Sequence, residues 1–146
     1  MISLRACAGP AEYPDLVRIW RSSVDATHHF LVDADRAEIQ RNLAGGYFPN
    51  VRLTVAEISG RAVGFAGTAD GDLAMLFIDA DARGQHVGGT LLDHVVSTQG
   101  VRTVDVNEQN DQAVGFYLHK GFVVTGRSEL DGDGRPYPLL HLTLAA

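Results

Sequence analysis

Apolar positions along the chain follow two periods, and the switches between them mark the elements. Ile2, Leu4 and Ala6 alternate with polar Ser3 and Arg5, which predicts a short first strand ended by Gly9-Pro10. Over 12–23 the spacing becomes helical, with Leu16, Ile19, Trp20 and Val24 on one face. Residues 25–31 read as a loop or short turn. Asp33 or Asp35 is suited to cap a second, weakly amphipathic helix through Leu43, with Gly45-Gly46 as its stop. Val51, Leu53 and Val55 alternate again. Ser59-Gly60 turns that strand back into 62–69, with Val63 and Phe65 facing inward. Asp70-Gly71 makes a second hairpin turn into the apolar run 73–78, which reads as a buried strand.

A polar turn follows, and then a helical pattern through Ser97 with Val87, Leu91 and Val95 one turn apart. Gly100 breaks it, and 101–106 is the next strand. Asn110 is suited to cap a further helix, with Asp111 on its positive end and Gly121 as its stop. Two final strands, 122–129 and 139–144, flank the polar turn from Asp131 to Pro136. Hairpins followed by β-α-β-α-β-β predict an α/β fold with a mixed, mostly antiparallel sheet and helices on both faces. With no repeat, low-complexity segment or linker, residues 1–146 are expected to form one domain.

The junction at 73–96 organises the chain. A strand, a turn with Gly84, Gly88 and Gly89, and a helix together present free backbone N–H groups and a positive helix end. Such a unit suits a phosphate. It equally describes a plain connection that needs glycine for its turn, and the glycines alone leave both readings open. A dinucleotide-binding module fits poorly, because the spacing lacks Gly-x-Gly-x-x-Gly.

Two ordered blocks resemble the GNAT N-acetyltransferase superfamily. Arg83, Gly88, Leu91 and Leu92 fall in register with its Arg/Gln-x-x-Gly-x-Gly/Ala turn and Leu-Leu helix. The run Val104-Asp105-Val106-Asn107-Glu108-Gln109-Asn110, then Ala113, Phe116-Tyr117 and Gly121-Phe122, is similar to its strand, Asn-x-x-Ala helix, aromatic-Tyr pair and Gly-Phe turn. Val24-Asp25-Ala26-Thr27-His28 and 107–110 look like a stand-alone bacterial subgroup. The resemblance implies the GNAT fold and direct transfer of an acetyl group from acetyl-CoA to a primary amine of a small molecule, peptide or protein. It implies that the backbone of Leu76, Phe77 and Ile78 receives the pantetheine arm. It also implies that 84–89, with flanking Arg83 and Thr90, hold the pyrophosphate; this set comprises Gly84, Gln85, His86, Val87, Gly88 and Gly89. One departure stands out: His86 replaces the first glycine of the motif. Its imidazole either crowds the diphosphate or donates to it.

Acetyl transfer needs a proton for the departing thiolate and a group that takes one from the amine. Tyr117, protonated at neutral pH and at helical spacing from Ala113, is the candidate general acid. Asn110 serves as a helix cap or as a contact to the cofactor. Asp105 occupies the strand position where some relatives carry a glutamate base, though a solvated carboxylate is a weak one. His28 is the other candidate base, because imidazole titrates near neutrality. Tyr137 either lines the acceptor site or packs. A non-catalytic acyl-CoA sensor with the same fold is the alternative reading.

Charge and cysteine content narrow the partners. A formal net charge of −6 argues against nucleic acid and anionic membranes; it either serves plain solubility or favours a cationic acceptor. The single cysteine, Cys7, allows no internal disulfide. The six histidines show no metal-ligand spacing. The start lacks a signal-peptide pattern, and no apolar run nears the roughly 20 residues that span a bilayer, so a cytoplasmic protein is expected. Exposed sheet edges would allow a homodimer.

Overall fold

A computed structural model describes residues 1–145; Ala146, the last residue of the expected domain, lies outside them. The chain divides into two compact units, Met1–Val101 and the segment from Arg102 onward.

In the first unit, β1 (Ile2–Ala6), β2 (Arg52–Ile58), β3 (Arg61–Ala69) and β4 (Asp72–Ile78) form an antiparallel sheet in that order. The two hairpins close as the turn residues predict. Ser59 and Gly60 have φ of 52° and 79°, and Asp70 and Gly71 have φ of 51° and 80°. Two successive left-handed residues match the twist of the strands they join.

The strand β3 is buried on both faces. On one face Phe65 meets Phe48 edge-on and Phe77 at a tilt, each at 5.7 Å between ring centroids. Phe77 in turn meets Trp20 of α1 (Tyr13–Thr27) at 6.5 Å. On the other face a Cβ on Gly64 would lie 2.9 Å from Ile78 Cδ1 and 3.0 Å from Val87 Cγ1, in α3 (Val87–Gln99). It would also lie 3.2 Å from the Phe77 carbonyl oxygen. The helices α1 and α3 therefore cover opposite faces, as expected. Gln99 of α3 satisfies two hydroxyls buried in the sheet: Thr68 donates to its Oε1 at 2.5 Å, and its Nε2 donates to Thr54 at 3.2 Å.

Three expectations are corrected. First, α1 does not end at Ser23. Its ladder continues until His28 N donates to Val24 O at 2.8 Å, and the Arg21–Asp25 pair keeps the extra turn's polar side in water. Second, neither Asp33 nor Asp35 caps α2 (Asp33–Asn42). Val32 is the cap residue and offers no side-chain bond. Both acids instead sit in the first turn, where the helix dipole favours them. Gly45-Gly46 do not stop the helix either, which widens into a π-helical turn, Leu43–Tyr47, that contains them. Third, the apolar run of β4 is not uniformly buried. Leu73 is, but Ala74 is exposed and Met75 through Ile78 are half-buried.

The second unit is an antiparallel sheet in the order β5 (Thr103–Asn107), β7 (Leu139–Leu144), β6 (Phe122–Ser128). The helix α4 (Asp111–His119) packs on β5 and β6. Val104, Val106, Phe122 and Leu142 are buried. The strand predicted over 101–106 starts at Thr103, because Val101 is instead buried in the connection after α3.

Gly64→Ala tests the close packing between β3 and α3. The added methyl meets a backbone oxygen as well as side chains, so it should cost about 1–3 kcal/mol of unfolding free energy in urea titrations. An unchanged midpoint would mean that the two elements separate easily.

Candidate functional site

Asp79 launches the turn that follows β4. Its amide donates to Val63 O at 2.8 Å, which anchors it to β3. Its carboxylate is buried and accepts from Arg18 Nη1 at 2.8 Å, Ser22 Oγ at 3.0 Å and Asp81 N at 3.1 Å. Ser22 Oγ also accepts from Ala80 N at 3.0 Å. Burial alone would raise the Asp79 carboxyl, but these donors and the Arg18 charge outweigh it and hold the group below the usual carboxylate range. Sequence reasoning passed over this cluster. The only signal was an acid directly after an apolar strand.

The chain then crosses a short 3-10 turn, Ala80–Ala82, and becomes exposed over 83–86. Gly84 has φ of 80°, and a Cβ there would meet nothing within 4 Å. His86 caps α3 in the left-handed conformation, φ 65° and ψ 19°, with no side-chain cap bond. Its carbonyl accepts from Thr90 N at 3.0 Å and Thr90 Oγ1 at 2.8 Å. The amides of Val87, Gly88 and Gly89 come before the first α-helical bond and have no helical carbonyl within reach. Val87 itself is buried, so only its backbone is available there.

Of the candidate bases, His28 belongs to this unit. It ends α1 with Nδ1 2.7 Å from Thr27 Oγ1, and its ring lies 5.2 Å from Phe30 and 6.4 Å from Phe77. The structure thus brings His28 beside the strand that carries Leu76–Ile78. Burial first, and the charge of His29 second, push its imidazole down to about 4, so it is neutral at pH 7.

The remaining candidates lie in the second unit. Asn110 is buried and its Oδ1 accepts from Ala113 N at 3.2 Å, the cap that its position predicted. Tyr117 on α4 is buried, with its ring edge-on to Phe116 at 5.1 Å and Phe122 at 5.7 Å. Burial pushes its phenol up, so it stays protonated well above neutrality. Asp105 is half-exposed but not simply solvated, since its Oδ1 lies 2.6 Å from His141 Nδ1. His141 had no sequence signal, because only strand register places it opposite Asp105. Tyr137 is buried. Among the described residues no group of three His, Cys, Asp or Glu is placed to hold a metal ion. Among them, too, no helix is long and apolar enough to cross a membrane.

Comparison with known proteins extends across both units. A family model described as the acetyltransferase (GNAT) domain matches residues 21–137. The peptidyl-lysine N-acetyltransferase YjaB of Salmonella typhimurium is 49% identical over 128 residues, which is 87% of this chain and 88% of that protein. The solution structure of apo-form YjaB from Escherichia coli superposes with a TM-score of 0.90 at 44% identity, covering 100% of this chain and 99% of that one. The PaiA N-acetyltransferase of Thermoplasma acidophilum, solved with coenzyme A, shares the fold at 17% identity with a TM-score of 0.74, covering 99% of each chain. The fold is the GNAT α/β fold, and the non-catalytic reading is set aside. The chain belongs to the GNAT superfamily and is an N-acetyltransferase.

Proposed function

We propose that the chain moves the acetyl group of acetyl-CoA to a lysine side chain in a peptide or protein. The observation that carries this reading is the exposed turn at 83–86, which ends on the uncapped amides of α3. The fit is favourable on local grounds. The space at Gly84 is open, and the left-handed His86 directs the chain into α3 with its first amides unpaired. The half-buried backbone of Leu76, Phe77 and Ile78 would receive the pantetheine arm. Arg83, Gln85 and Thr90 border the amides of 84–89 that would hold the diphosphate. Acetyl-CoA supplies an acetyl group activated as a thioester. The peptidyl-lysine acceptor follows the function named for the 49% identical relative, and the net charge of −6 suits a cationic partner.

The chain's own residues then have distinct tasks. Backbone N–H groups on β4 would stabilise charge on the thioester oxygen. Tyr117 acts as general acid: its phenol keeps its proton, and an apolar setting also makes the departing thiolate more basic. Asp105 takes part on the base side. His28 is neutral and so able to accept a proton, but burial makes its imidazolium costly. Its better role is to line the acceptor approach beside Phe77.

Tyr117→Phe should lower turnover about 10²–10⁴-fold in a thiol-release assay with a lysine peptide. Acetyl-CoA affinity and melting temperature should not move. Turnover equal to the parent protein would refute the acid assignment. His86→Gly removes a Cβ from a left-handed position, which relieves about 1 kcal/mol of strain. Calorimetry should find acetyl-CoA bound as tightly as before or more tightly; weaker binding would mean that the imidazole itself contributes a contact.

A further inference from the structure

Three polar side chains from three strands meet on one face of the second unit. Asp105 of β5 and Gly126 of β6 are both cross-strand partners of His141 on β7. The imidazole is engaged at both nitrogens, with Nδ1 2.6 Å from Asp105 Oδ1 and Nε2 2.6 Å from Ser128 Oγ. An ionised carboxylate only accepts, so Nδ1 carries the proton and Nε2 is left to accept from the Ser128 hydroxyl. The order carboxylate, imidazole, hydroxyl is that of an oriented base with a polarised O–H at its end.

The surrounding backbone fits the ring. A register shift between Val124 and Gly126 places a glycine opposite His141. A Cβ at that position would lie 3.3 Å from His141 Cδ2, tight against the ring. Asp105 and His141 remain 50% and 36% exposed, so the pair adds little to stability but stays open to a ligand. Val104, Val106 and Leu142 alternate to the opposite, buried face, and Tyr117 meets Phe122 in that core. Within this unit the relay thus lies across the sheet from the proposed acid.

We propose that His141 is the proton acceptor for the incoming amine, with Ser128 as its point of contact and Asp105 as its positioning residue. The assignment rests on the acetyl-transfer reading above. As the carbon–nitrogen bond forms, the nitrogen becomes positively charged and its N–H acidic. That N–H bond breaks, its electrons stay on nitrogen, and the proton passes to Ser128 Oγ. The hydroxyl's original proton passes to His141 Nε2, so Ser128 ends the step unchanged. Asp105 stabilises the imidazolium, which later releases its proton to water. Asp105 from β5 is the charged group facing the ring and Ser128 from β6 the hydroxyl. The flanking Arg127 and Glu108 neutralise each other in a 2.6 Å ion pair.

The test is kcat/KM for a lysine peptide with acetyl-CoA between pH 6 and 10, measured by thiol release on the full chain. Parent activity should show a limb that rises with pH before the range of the free amine is reached. His141→Gln should lose about 10²-fold at pH 7. It should also lose that limb and rise only toward the range of the free amine, near 10.4. Melting temperature and acetyl-CoA affinity should be retained. Asp105→Asn should lower turnover by less than His141→Gln does and keep acetyl-CoA affinity, because the amide oxygen can still orient Nδ1–H but stabilises an imidazolium less. His141→Ala should regain activity when free imidazole is added. A parent-like pH profile in His141→Gln, or a uniform drop that imidazole does not restore, overturns this assignment and leaves the transfer reading intact. Parent protein that releases no thiol overturns both.

Discussion

Asp79 stands where β4 gives way to the turn, and it is 3% exposed. A carboxylate so placed is tolerable only with its partners in position. Arg18 and Ser22 come from α1, so the helix and the strand end are tied to one charge. The amides of Ala80 and Asp81 are tied to the same cluster. The direction in which the chain leaves the sheet is therefore fixed before the exposed residues begin. Everything proposed for the donor depends on that direction, because the amides of Val87, Gly88 and Gly89 point where the turn aims them.

The two units divide the chemistry by type. In the first, the groups assigned to the donor belong largely to the main chain. Side chains there have only to be small, as at Gly84, or apolar, as at Leu76. In the second, the proposed work falls to side chains, with Tyr117 on a helix and Asp105, His141 and Ser128 on strands. Burial acts differently on each. It keeps the Tyr117 proton in place, whereas Asp105 and His141 are left partly open to solvent. His28 shows the limit of judging a base by residue type alone. An imidazole packed between Phe30 and Phe77 pays heavily for a charge that the same ring would carry readily in water.

Much of this was legible in the residues. Hairpin turns at Ser59-Gly60 and Asp70-Gly71 need left-handed backbone, and the residue types announce it. Asn110 announced its cap, and Gly100 and Gly121 their stops. The proposed donor motif concerns spacing and Cβ absence, which sequence records directly. What sequence missed was tertiary. The last turn of α1 reads as polar because it faces water, not because it is irregular. The apolar residues of β4 look buried, yet their exposure depends on neighbours rather than on composition. The contact of Asp105 with His141 spans 36 residues and depends on a strand register with a bulge beside it, which no local pattern encodes.

The tight hairpins have a kinetic consequence. β2, β3 and β4 are consecutive in sequence and joined by two-residue turns, so residues 52–78 can pair at small loop-closure cost. Their register is set locally, before α1 or β1 has to arrive from earlier in the chain. The strand assigned to the donor can thus take shape within a self-contained meander. The Asp79 cluster, whose partners lie 57 and 61 residues away, carries a higher loop-closure cost than either hairpin.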